Sequence, residues 1–208
     1  MGSANRLGRP PASDSAQTRR RILHSARVCF VAHGYDQTTM KNIAADAGIT
    51  AGALYHHFPS KQDLFAAAYH RHQDEAFRAL RAAVAPPGTF IERISALLHA
   101  AADLHANDRG LAAFTAVATV ELQRHPELRA AVGHATRTVY RFFERLLAEA
   151  REEVAEDDHA AVVNMLVAMF TGLSVFAAGT RSTSTHRDTL EVFRRALAGT
   201  LLTQPARA

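Results

Sequence analysis

Cysteine is nearly absent from this chain. Cys29 is the only one in 208 residues, so no disulfide can form within a molecule. That excludes the small disulfide-stapled secreted scaffolds and fits a reducing cytoplasm. An apolar run near the N-terminus is also missing, so no secretory signal is expected. The chain opens Met1-Gly2, but Arg6 stands where a myristoylation signal needs a hydroxyl residue. Charged residues or His are expected to break every apolar stretch before the roughly 20 residues a membrane helix requires. No membrane partner is therefore expected. No segment alternates with period two, which predicts no sheet. There is no nucleophile elbow, P-loop, paired metal motif or glycine-rich dinucleotide turn. An enzyme is therefore not expected, and no cofactor is implied.

What remains is a chain of helices. Hydrophobic residues make up 48%, enough for a folded core. The formal charge is +4, a mild basicity that permits an anionic partner without demanding one. Residues 1–14, with Arg6, Arg9, Pro10 and Pro11, predict a flexible basic arm whose arginines enter a narrow minor groove. From residue 16 the apolar period is helical: Ile22, Ala26 and Phe30 recur every four residues, flanked by Leu23 and Cys29. A thiol on that face reads as buried and inert. Gly34 is expected to stop this helix.

Two short helices should follow, the first capped by Thr38 or Thr39 and running to about 47, the second capped by Thr50 and running to about 57. Pro59 blocks continuation, and Ser60 with Asp63 forms a capping box for a helix to about 85. Pro86-Pro87-Gly88 is a strong break. Thr89 with Glu92 opens a helix to about 106, and 107–110 reads as a turn before a helix over 111–124. Pro126 sits at a helix N1 position, and that helix should reach about 154. The last two long helices are expected over about 158–179 and 186–202, with 180–185 a loop.

The informative stretch is 39–58. Ala44 is small where two helices cross, Gly48 allows a positive φ in a tight turn, and Ile43, Ala47, Ile49, Leu54 and Phe58 hold the two helices at a fixed angle. That is the pattern of a helix-turn-helix, whose second helix enters the major groove. The run Thr18-Arg19-Arg20-Arg21-Ile22-Leu23, then Gly34-Tyr35, Thr38-Thr39-Met40, Ile43-Ala44, Ala47-Gly48-Ile49-Thr50, Gly52-Ala53-Leu54-Tyr55-His56-His57-Phe58, Ser60-Lys61 and Leu64-Phe65 closely resembles the TetR family of bacterial repressors. The resemblance covers roughly residues 16–70.

The resemblance implies an all-α protein with an N-terminal three-helix DNA-binding domain over 15–70 and a helical ligand-binding and dimerisation domain over 71–208. It implies phosphate contacts from Thr39, Tyr55, His57 and Lys61, since hydroxyls, imidazoles and ammoniums at helix ends suit phosphate oxygens. It places Met40, Thr50, Ala51, Gly52, Ala53 and His56 within reach of bases, with Thr38 and Lys41 completing the DNA-binding set. Ala51 to Ala53 is so bare that readout there is limited to apolar contact or close backbone approach, which shifts specificity toward Thr50, His56, Lys41 and DNA shape.

For the second domain the resemblance implies a ligand cavity and a dimer made by the last two long helices. Val162, Val163, Leu166, Met169, Phe170, Leu173 and Phe176 form an apolar set wide enough to pack inward and against a partner. Phe114, Val117, Glu121, Tyr140, Phe143, Met165 and Met169 are the candidate cavity walls, and their Met and Phe content points to a lipophilic effector. Among the twelve histidines, His70 and His72 have the wrong spacing for one metal, and His99 with Asp103 reads as a surface pair. No metal site is expected. The function implied is a homodimeric, cytoplasmic repressor released from a palindromic DNA operator by a small molecule, with coupling along the helix that starts at Lys61. The alternatives are an architectural DNA-binding protein without a ligand and a regulator that needs its ligand to bind DNA.

Overall fold

A computed structural model describes residues 12–149, 154–180 and 182–199. The described residues are helical with no strand among them, and they fall into two compact units divided between Ala68 and Tyr69.

In the first unit α1 (Ala12–Gln37), α2 (Met40–Asp46), α3 (Ala51–His57) and the start of α4 (Lys61–Ala83) enclose one small core. Ile22, Ala26 and Phe30 on α1 are fully buried, as the four-residue period predicts. Phe30 meets Tyr35 and Phe65 in a trio of rings whose centroids lie 5.1–5.9 Å apart, spacings at which aromatic pairs attract beyond their buried area. Cys29 is buried, and that burial pushes its thiol pKa up, with the Asp46 carboxylate adding to the shift. Such a thiol is unreactive. Gly34 leaves the helical region (φ 71°, ψ 179°), but the chain resumes helical turns to Gln37, three residues past the expected stop. The first turn of α1 takes in residues 12–14, so the helix begins inside the stretch expected to be a flexible arm. Arg6 and Arg9 lie outside the described residues.

The second unit holds the remainder of α4 with α5 (Phe90–Asn107), α6 (Arg109–Arg124), α7 (Pro126–Ala148), α8 (His159–Gly179) and α9 (Thr183–Leu197). The Thr89–Glu92 capping box forms with both of its hydrogen bonds. Asp108 ends α5 and caps α6 through Gly110 N, so the expected four-residue turn shrinks to one residue. Pro126 takes the N1 position of α7. That helix ends at Ala148, short of the expected 154. Residues 180–185 are not all loop: Ser182 accepts from Thr185 N and starts α9 early, because a serine followed by hydroxyl residues can cap as well as turn. The core joins Phe77 and Leu80 of α4 with Leu97 and Leu98 of α5, Phe143 and Leu147 of α7, Leu166 and Leu173 of α8, and Leu190 of α9.

The composition of α8 corrects one expectation. Residues 160–179 contain no Asp, Glu, Lys, Arg or His, so the apolar run is not interrupted. By length and composition alone this helix could cross a bilayer. Its Val163, Leu166, Leu173 and Ala177 are instead buried in the unit, against α5, α6, α7 and α9. Met165, Val175 and Phe176 remain exposed on α8, as do Val192 and Phe193 on α9.

Candidate DNA-reading surface and internal cavity

The turn between α2 and α3 is built from local chemistry. Thr39 caps α2 by accepting from Asn42 N at 3.1 Å, and Thr50 caps α3 by accepting from Ala53 N at 3.1 Å. Between them Gly48 adopts φ +64°, and Ile49 N closes back onto Ala44 O at 3.0 Å. Only a residue without a Cβ takes that φ at no steric cost. Ala44, Ala47, Leu54 and Phe58 are buried at the crossing, so one face of α3 is fixed in the core. The Arg19 guanidinium lies 4.4 Å from the Phe58 ring centroid and covers its outer face.

The opposite face of α3 is open. Ala51, Gly52, Ala53, Tyr55 and His56 are exposed, with half of the Tyr55 surface in solvent. Tyr55 is therefore not a core aromatic. Thr50 uses a lone pair for its cap and keeps its own proton to donate. Thr39 and Lys41 are exposed beside this face, and His57 is half-buried. Nothing lies within 4 Å of where a Gly52 Cβ would stand, so another backbone can approach there closely.

Three of the expected contacts change character. Thr38 is completely buried, and its hydroxyl lies 2.6 Å from Gly34 O and 3.1 Å from Cys29 O. It holds the end of α1 together and has no surface to offer DNA. Met40 is also buried; as the first residue of α2 it turns into the core rather than out. Lys61 points back onto α1, where its Nζ donates to Tyr35 O at 2.8 Å and Asp36 O at 3.3 Å and lies 4.3 Å from the Tyr35 ring centroid. A cation on the last carbonyls of a helix is favourable in its own right.

The second unit holds a half-open cavity of about 550 Å³ among α4, α5, α6, α7 and α8, within the usual range for small-molecule sites. Of the seven expected wall residues, Tyr140 and Phe143 line it. Phe114 is wholly buried and packs edge-on to His72. Glu121 is buried 3.4 Å from the His125 ring nitrogen, held beside its own helix end. Met165 is exposed, and neither Val117 nor Met169 reaches the cavity. Periodicity placed these side chains on apolar helix faces but could not say which face met the void.

Most polar wall residues were not anticipated. His72 is buried, and its Nε2 lies 2.8 Å from Thr115 Oγ1. His105 Nε2 lies 3.3 Å from Ser174 Oγ, and its Nδ1 lies 3.1 Å from His186 Nε2. The ring of His105 is held neutral: burial and repulsion from His186 lower its pKa to about 4. Burial lowers the pKa of His186 as well. His105 and His186 belong to α5 and α9, far apart in sequence and in no motif, so no local signal announces the pair. His99 and Asp103 are exposed, and no cluster of three metal-ligating side chains occurs among the described residues.

Residues 22–68 match the family description "Bacterial regulatory proteins, tetR family". Residues 90–202, more than half of the chain, match "BetI-type transcriptional repressor, C-terminal". The chain belongs to the TetR family of transcriptional regulators. As such it is a DNA-binding regulator and not an enzyme. Among curated relatives, the HTH-type transcriptional regulator UidR of Escherichia coli K12 is 27% identical over 157 residues, 74% of this chain and 78% of that protein. The repressor Rv1474c of Mycobacterium tuberculosis is 44% identical over 50 residues, 24% of this chain and 27% of that protein. Among solved structures, Salmonella enterica GusR is 25% identical with a TM-score of 0.72, covering 95% of this chain and 99% of its own. A transcriptional regulator from Saccharomonospora viridis, solved in complex with choline, is 23% identical with a TM-score of 0.67, covering 86% and 95%. Regulators of this family bind DNA operators and small-molecule effectors and act as dimers.

Proposed function

We propose that this TetR-family regulator is a cytoplasmic homodimeric repressor that holds a palindromic operator and releases it when a small molecule fills the α4–α8 cavity. The observation that carries the reading is the two-sided character of α3. Leu54 is locked in the core while Ala51, Gly52, Ala53, Tyr55 and His56 face outward from the same short helix. Residues 15–70 form the DNA reader and 71–208 the sensing and dimerising part. Thr39, Tyr55 and His57 meet phosphates; Thr50, the 51–53 edge, His56 and Lys41 meet the major groove.

Dimerisation uses α8 and α9. Met165, Val175, Phe176, Val192 and Phe193 are all more than a third exposed on two adjacent helices, apolar surface that a partner would cover. A symmetric dimer also supplies two readers for two half-sites about one DNA turn apart. Effector binding then favours a dimer geometry with a different reader spacing, and α4, which contributes residues to both units, is the route. The cavity wall mixes apolar side chains with hydroxyls and imidazoles, so the effector is amphipathic rather than simply lipophilic.

The test is selection of binding sites from a random DNA pool, followed by affinity for the winner against scrambled DNA at fixed salt. A palindromic winner preferred by a factor of about a thousand or more supports a site-specific dimeric regulator. Equal affinity for all DNA would support the architectural alternative instead. A palindrome bound only after a small molecule is added would reverse the sign of regulation.

A further inference from the structure

Three hydroxyl groups on the cavity wall, two on α6 and one on α8, share one feature. Thr119 Oγ1 donates to Thr115 O at 2.8 Å, the carbonyl four residues back on its own helix. Ser174 Oγ donates to Phe170 O at 2.9 Å in the same way. Thr115 Oγ1 lies 3.2 Å from Leu111 O and 2.8 Å from His72 Nε2, and its single proton serves one or the other. Each hydroxyl has one proton and two lone pairs. All three protons are thus committed inside the protein, and what these groups turn to the cavity is lone pairs.

The imidazoles reinforce the pattern. With Ser174 donating to Phe170 O, the 3.3 Å contact makes His105 Nε2 the donor to Ser174. His105 Nδ1 then accepts from His186 Nε2 at 3.1 Å. Both nitrogens of the neutral ring are occupied, so His105 brings no positive charge and no spare donor. Donors of the protein lie elsewhere on the wall: Gln73, whose amide donates to Tyr69 Oη at 2.9 Å, Tyr69 itself, and the exposed Gln123, Tyr140 and Arg129, whose guanidinium also donates to Leu122 O and Gln123 O. No carboxylate and no lysine line the cavity among the described residues.

Resting on the reading of this cavity as the effector site, we propose that it takes an uncharged ligand rich in hydrogen-bond donors, a hydroxylated head on an apolar body, and excludes both quaternary ammoniums and carboxylates from the side of its wall formed by Thr115, Thr119, His105 and Ser174. A cation held there would lose its hydration without a counter-charge. A carboxylate would face lone pairs. Hydroxyl groups would satisfy Thr115, Thr119 and Ser174, while Phe77, Leu80, Val139 and Phe170 cover the apolar part.

Four probes with one tail test this: n-octyl β-D-glucoside, triethylene glycol monooctyl ether, octyltrimethylammonium and octanoate, each below its micelle concentration. Calorimetric titration of the full-length protein should show the glucoside binding at least tenfold tighter than the other three. Thr119→Val and Ser174→Ala should each weaken the glucoside by roughly tenfold, the value of one hydrogen bond left unmade, and leave the ether unchanged. Neither change touches a main-chain helix bond, and circular dichroism confirms the fold. Equal binding of glucoside and ether, tighter binding of either ion, no binding of any probe, or unaltered affinity in both variants would overturn the proposal. Release of the selected operator separates the two readings. A charged probe that releases DNA keeps the effector site and sinks its chemistry. A glucoside that binds without releasing DNA keeps the chemistry and sinks the regulatory role.

Discussion

The Lys61 ammonium both donates to the Tyr35 carbonyl at 2.8 Å and lies 4.3 Å from the centroid of the same residue's ring. One cation thus ties the start of α4 to the end of α1 by a charge-assisted hydrogen bond and a cation–π contact. Lys61→Met keeps the aliphatic stem and removes both. It should cost about 1–2 kcal/mol of stability, read from thermal or urea melts. A variant that melts like the parent would show that the ammonium works outside the fold.

Thr38 and Tyr55 should separate stability from binding. Thr38→Val removes the buried hydroxyl on Gly34 O and should destabilise by about 1–2 kcal/mol, with operator affinity per folded molecule unchanged. Tyr55→Ala deletes an exposed side chain and should shift stability by less than about 0.5 kcal/mol, yet weaken operator binding tenfold or more. The same loss in both assays for Tyr55 would place its ring in the core after all.

Gly52→Ala should move the two properties in opposite directions. A Cβ there meets no protein atom within 4 Å, and alanine is favoured in a helix by up to about 1 kcal/mol over glycine. Stability should rise or hold, while operator affinity falls because the new methyl occupies the space a base edge needs. Unchanged affinity would remove this part of α3 from the groove.

Stability should depend on pH through His105. Unfolded, the ring takes a proton near 6.5; folded, only near 4. Between those values the unfolded chain binds the extra proton, so stability is fully present above about 6.5 and falls as pH drops toward 4. The burial-lowered pKa of His186 acts in the same direction. His105→Asn should flatten this part of the curve in melts taken from pH 7 to pH 4. An equally steep curve in the variant would assign the loss to other groups.

Phe193→Asp, on the exposed face of α9, should break the dimer. Light scattering at micromolar concentration should report a monomer, with helix content retained and operator affinity reduced by at least the loss of one half-site. A dimer of full affinity would move the interface away from α8 and α9.

Much of the first unit was legible in the amino-acid order because its determinants are local. The four-residue apolar period of α1, the caps at Thr39 and Thr50, the positive φ at Gly48 and the stop at Pro59 each act within a few residues, where propensity and hydrogen bonding decide the backbone. The Thr89–Glu92 box and Pro126 at N1 were readable for the same reason. Periodicity says that a face is apolar, but not what lies against it. Thr38, Met40 and Lys61 look like DNA contacts by position, and only the packing of α1 against α2 and α4 turned two of them inward and folded the third back onto Tyr35. The cavity was less legible still. Its wall is assembled from five helices, and groups such as His105, Ser174 and His186 meet across dozens of intervening residues. Local chemistry therefore specified the helices, their ends and the reading turn. The side chains that meet in the void, and the lone pairs they present to it, were decided by how those helices close on one another.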